Sequence, residues 1–111
     1  AAPVAAAPAA GAGNDKRGQR QAAAALRQQL APHKKAADKL EAELGQVQAK
    51  LAALEERLGD SAMYEAARKD ELRQALAEQA QLKAREAELE EGWLEALETL
   101  EALQRELEAV V

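Results

Sequence analysis

The sequence predicts an all-α fold, a two-stranded antiparallel coiled-coil helical hairpin, from three observations. Leu26, Leu30, His33, Ala37, Leu40, Leu44, Val47, Leu51, Leu54 and Leu58 follow strict four-three spacing, the a/d signature of a coiled-coil seam. A helix-breaking stretch, Gly59-Asp60-Ser61, follows, and a second leucine-rich run begins at Leu72. Charge is also polarised: residues 15–39 hold seven Lys/Arg and two Asp, while residues 86–108 hold nine Glu and one Arg. An antiparallel hairpin sets the basic start beside the acidic end, whereas a parallel dimer stacks the acidic segments on each other. The parallel dimer is the runner-up architecture. A monomeric hairpin of 11.9 kDa is expected.

Composition supports an elongated helical module over a globule. Of 111 residues 48% are hydrophobic, but these are mostly Ala and Leu, with no Phe, one Trp and one Tyr. That palette is rich in helix formers and poor for a mixed core. There is no cysteine, which excludes disulfides and thiolate metal sites and suits a reducing, cytoplasmic compartment. No apolar run approaches the roughly 18 residues of a membrane span, so no membrane association is expected. Residues 1–14 lack the features of a signal peptide, and the only methionine is Met63. A piece of a longer protein is therefore expected.

Residues 1–14 are Ala/Pro/Gly-rich and read as a flexible linker. Asn14 or Asp15 offers an N-cap, and the hairpin occupies 15–111. Arm one is expected over about 15–58, frayed to about Gln21 because Gly18 and basic residues disfavour a helix start. Pro32 lacks a backbone donor, so a kink or short break is expected near residues 30 and 31. Gly59 suits a left-handed helix end, and Asp60 or Ser61 suits a restart. The turn is expected over 59–67, with a short helical piece at 61–66, and arm two over about 68–109.

The second run is Leu72, Leu76, Ala80, Leu82, Leu89, Trp93, Leu97, Leu100, Leu103 and Leu107. Its middle is weakly apolar, with Gln79, Lys83 and Glu86 near the seam and the Lys83 stem able to lie along it. If Leu58 faces Leu72, residues whose numbers add to about 130 are opposite. Leu54 then meets Leu76, Leu30 meets Leu100, His33 meets Leu97 and Trp93 meets Ala37. Ala49, Ala52 and Ala53 are expected to allow close helix approach.

Catalytic and metal motifs are missing from these residues. Gly11-Ala12-Gly13 lacks the spacing and the Lys of a phosphate-binding loop. Ser61 and His33, the only Ser and His, lie far apart on one arm, and His33 reads as a partly buried structural residue. The Glu-rich end reads as a solvated face. No catalytic, cofactor or metal residue is expected. Two basic groups are candidates for nucleic-acid contact: Lys16, Arg17, Arg20, Arg27, Lys34 and Lys35 at the start of arm one, and Arg68, Lys69 and Arg73 with Tyr64 at the tip. Arg57 adjoins the tip group. Tyr64 reads either as an exposed contact or as a plug for the seam. Against nucleic acid stand the net charge of −5 and the lack of interleaved aromatic residues. A protein–protein module or spacer is the alternative.

Several of these residues also carry a resemblance. They are Arg68-Lys69 followed by Glu71-Leu72, Leu58-Gly59-Asp60-Ser61 with Tyr64, and Trp93-Leu94-Glu95-Ala96 with Leu100. From about Lys16 to Leu107 the chain resembles the C-terminal coiled-coil extension of ABC-F proteins, soluble ATP-binding cassette ATPases that act on ribosomes. The YheS-like subgroup is nearer and Uup more distant. The resemblance implies a non-catalytic extension of a two-cassette ATPase, joined to the last cassette by the Ala/Pro linker. ATP and Mg would bind to cassettes outside this chain. It also implies contact with the ribosome, with tRNA or with other nucleic acid, in translation.

Overall fold

A chain of helix formers with two heptad-phased runs forms two long helices, because only a partner helix can cover each apolar stripe. A computed structural model gives the fold. Helix α1 spans Ala2–Leu58 and helix α2 spans Lys69–Val110, with two short 3₁₀ turns between them, Ser61–Tyr64 and Ala66–Arg68. Side chains are described for residues 16–111. The α1 range includes residues 2–14, expected as a linker, and Asn14 and Asp15, expected as cap positions; their side chains lie outside the described residues. Among the described residues there is no strand, and the architecture is the all-α helical hairpin.

Helix α1 passes Pro32 without interruption, so the short break expected there does not occur. Pro32 removes one donor to the Gln28 carbonyl, but both residues are exposed and water can take the lost bond. The helix is likewise continuous through Gly18.

At the other end of α1 the turn is built by hydrogen bonds rather than by a left-handed glycine. Among the described residues no glycine has positive φ, which corrects the conformation expected of Gly59. Gly59 N–H donates to the Glu55 carbonyl at 2.9 Å and to the Glu56 carbonyl at 3.2 Å. A Cβ at Gly59 would stand only 3.3 Å from the Glu56 oxygen, so the tight helix end itself favours glycine. Asp60 then leaves the helix with φ −79° and ψ 121°, and its carboxylate accepts from Ala62 N–H at 3.0 Å. That is the N-cap expected of Asp60.

Within α1, among residues 16–58, the buried and half-buried positions are Ala22, Ala23, Leu26, Leu30, Ala37, Leu40, Glu43, Leu44, Val47, Leu51, Leu54 and Leu58. From Leu26 onward every expected seam position is covered except His33, which is exposed and not partly buried. Ala49, Ala52 and Ala53 are also exposed; their heptad positions point away from the partner, so they do not bring the helices together.

The α2 seam differs in phase from expectation. Its covered positions are Leu72, Ala75, Gln79, Leu82, Glu86, Leu89, Trp93, Ala96, Leu100, Leu103, Leu107 and Val110, a regular three-four repeat. Leu76, Ala80, Lys83 and Leu97 lie outside it and are exposed. The repeat keeps most of the large apolar residues on one line, and Gln79 and Glu86 fall on that line as a consequence. Both are only half-buried, and no buried side-chain polar atom among the described residues lacks a partner.

The chain divides into two compact units. The first joins Ala1–Lys35 to Ala96–Val111, and the second is Ala36–Glu95. In the second unit Leu54, Leu58 and Ala75 form a buried cluster against which Leu72 and Leu82 pack, and Met63 closes the turn as a buried residue. The opposed residues there match the expected register. Arg57 pairs with Glu71, Arg85 pairs with Glu43, and Gly92 lies beside Leu40; each pair of numbers adds to within two of 130. In the first unit the α2 seam starts at Ala96, which is too short to cover His33, and Leu97 is turned outward.

A Cβ added at Gly92 would sit 3.7 Å from the nearest Leu40 methyl, an ordinary contact distance. Gly92→Ala is therefore expected to stabilise the protein by about 0.5–1 kcal/mol, the helix-propensity difference. A urea midpoint that falls would contradict this.

Candidate nucleic-acid interface

Six cations lie between residues 16 and 35, and that segment contains no carboxylate. Lys16, Arg17, Arg20, Arg27, Lys34 and Lys35 are all exposed. Among the described residues, none of them is held in an ion pair. Arg20, Arg27 and Lys34 are seven residues apart, so they form one row along α1 with about 10 Å between neighbours.

The heptad frame explains why the acidic end of α2 does not neutralise this row. In an antiparallel pair, like flanking positions share a side. Arg20, Arg27 and Lys34 are the residues immediately after seam position d, and the matching positions of α2 in this unit are Leu97, Gln104 and Val111. Glu98, Glu101, Glu106 and Glu108 fall on the back or on the other flank. An open groove of about 400 Å³ runs along this side, lined by Lys16, Gln19, Arg20, Ala23, Arg27, Val110 and Val111. Its cationic rim thus stands over an apolar floor. The attraction expected between the arms here acts through the field of the charges and not through contact pairs. The first unit carries seven Lys/Arg against five Asp/Glu, and the second carries eight against fifteen.

The tip is a different environment. Arg57 donates to one Glu71 oxygen at 3.3 Å, and Arg68 reaches the other at 3.4 Å. Lys69 and Arg73 are exposed. Between residues 57 and 73 four cations are balanced by four carboxylates, Asp60, Glu65, Asp70 and Glu71. The tip is therefore a charge-balanced surface and a weak attractor for phosphate.

Tyr64 is exposed but anchored to the end of α1, and it is not the plug of the seam. Its side is open, with 59% of the residue exposed, while its hydroxyl donates to the Leu58 carbonyl at 2.7 Å. That carbonyl is one of the acceptors left over at the end of α1. Met63, next to it, fills the seam. Tyr64→Phe is expected to cost about 0.5–1.5 kcal/mol, the net worth of one hydrogen bond. An unchanged urea midpoint would show that water replaces the hydroxyl without loss.

Among the described residues no three His, Asp or Glu are grouped to hold a metal ion, and no helix is long and apolar enough to cross a membrane. Sequence reasoning named all six cations of residues 16–35. It missed their common flank and the engagement of Arg57 and Arg68 by Glu71; counting heptad positions outward from the seam would have located the first. Comparison with family models, with curated proteins and with solved structures finds no match in any of the three.

Proposed function

We propose that this chain is a non-catalytic coiled-coil module that contacts nucleic acid through the basic row of α1. The observation that carries the reading is the row Arg20, Arg27 and Lys34, with Lys16, Arg17 and Lys35 beside it, exposed and, among the described residues, in no ion pair. Such a surface makes phosphate contacts, which position a protein without reading bases. No aromatic side chain accompanies it for stacking, so binding is expected to be insensitive to sequence and strongly sensitive to salt. The resemblance to the C-terminal extension of ABC-F proteins favours ribosomal RNA or tRNA as the ligand, in the cytoplasm. In that reading ATP and Mg are handled by cassettes elsewhere in the full-length protein.

Titration of labelled single-stranded RNA tests this. With three to six phosphates engaged, affinity should fall roughly 20- to 300-fold between 50 and 200 mM salt. No binding at 50 mM salt would overturn the reading. The alternative, a protein–protein module or spacer, is favoured by a different observation: Leu76 and Leu94 are large apolar residues left largely exposed on α2.

A further inference from the structure

One face of α2 beside the seam carries Leu76, Ala80, Lys83, Ala87, Glu90 and Leu94, alternately four and three residues apart. That spacing makes a single stripe along a helix. All six residues belong to the second unit and all are exposed, Leu76 at 48% and Leu94 at 55%. Among the described residues neither Lys83 nor Glu90 has an ion-pair partner.

The stripe complements itself when reversed. If a second α2 lies antiparallel with Ala87 on Ala87, Lys83 of each copy stands beside Glu90 of the other. Leu94 of each then enters the space between Leu76 and Ala80 of the other, a large residue set over a small one. A parallel arrangement sets lysine on lysine and glutamate on glutamate. The register of the hairpin also places Glu41 on the flank of Glu90, so the incoming Lys83 meets two carboxylates that, among the described residues, have no cation of their own. Two-fold contacts need this kind of self-complementary patch.

We propose that the α2 face at Leu76–Leu94 docks antiparallel onto the same face of a second copy, with a two-fold axis at Ala87. Both hairpins stay intact, so this pairing differs from a parallel two-chain coiled coil. Six side chains are far fewer than the roughly 20–30 residues a side of a standard interface, so weak association is expected.

Sedimentation equilibrium of the whole chain tests the proposal. The apparent mass should rise from 11.9 kDa toward twice that value with concentration. Lys83→Glu and Glu90→Lys should each weaken association about tenfold or more, and the double exchange should restore it. Because the chain has no cysteine, Ala80→Cys mixed with Leu94→Cys gives a second readout. Mixed disulfides should dominate over homotypic ones. A constant 11.9 kDa up to 1 mM, a double exchange as weak as the singles, or mainly homotypic cross-links would each overturn the proposal.

Discussion

Leu89→Ala is expected to destabilise the protein by about 2–5 kcal/mol and to lower Tm by on the order of 10–25 °C. Leu89 is 2% exposed, the most deeply covered large side chain among the described residues. It sits in α2 after the weak part of the seam, where Gln79 and Glu86 occupy seam positions. A two-helix unit has no second layer to collapse into the cavity, so little of the lost packing is recovered. Leu94→Ala, on an exposed position of the same helix, is the control and, at a concentration where the chain is monomeric, should stay within about 0.5 kcal/mol. Thermal and urea unfolding followed by far-ultraviolet circular dichroism measure both. A cost below about 1 kcal/mol for Leu89→Ala would mean that the seam is not closed there.

Joint replacement of Arg20, Arg27 and Lys34 by Glu is expected to weaken RNA binding a hundredfold or more at 50 mM salt. Each lost phosphate contact should also reduce the slope of log affinity against log salt by about 1. All three side chains are exposed and outside the ion pairs, so helicity and unfolding midpoint should change little. Arg68→Glu at the tip serves as the contrast. Arg68 already faces Glu71 on a charge-balanced surface, and its reversal should change affinity less than about threefold, as rim charges do under salt screening. Equal losses from the two variants would place the ligand on both surfaces. A triple variant that binds as well as the parent would remove the α1 row as the interface.

Much of the fold is legible in the residues because a coiled coil writes its contacts in a short repeat. The a/d positions of α1, the end of that helix at Leu58, the cap at Asp60 and the start of α2 near Lys69 follow from local rules of spacing and capping. The register follows as well, since a short turn leaves few ways to oppose two arms. Arm two was less legible because leucine occurs on two of its faces. Leu76 and Leu97 look like seam residues in sequence, and only the line that holds Leu72, Leu82, Leu89, Trp93 and Leu100 together shows that they are not. His33 failed for a related reason. Its spacing is correct, but the partner residue across from it is Ala96 in place of a longer side chain.

For the candidate interface, the sequence determined the chemistry: six cations and no carboxylate between residues 16 and 35. Which of them remain available was decided in three dimensions. The antiparallel pairing sets Leu97, Gln104 and Val111, and not the neighbouring glutamates, on the side of Arg20, Arg27 and Lys34. It also brings Glu71 between Arg57 and Arg68. Composition fixes how much charge a helix carries, but the rotation of one helix against the other decides which charges meet. For a two-stranded seam that rotation is set by the largest apolar residues, which leave the polar flanks wherever the heptad puts them.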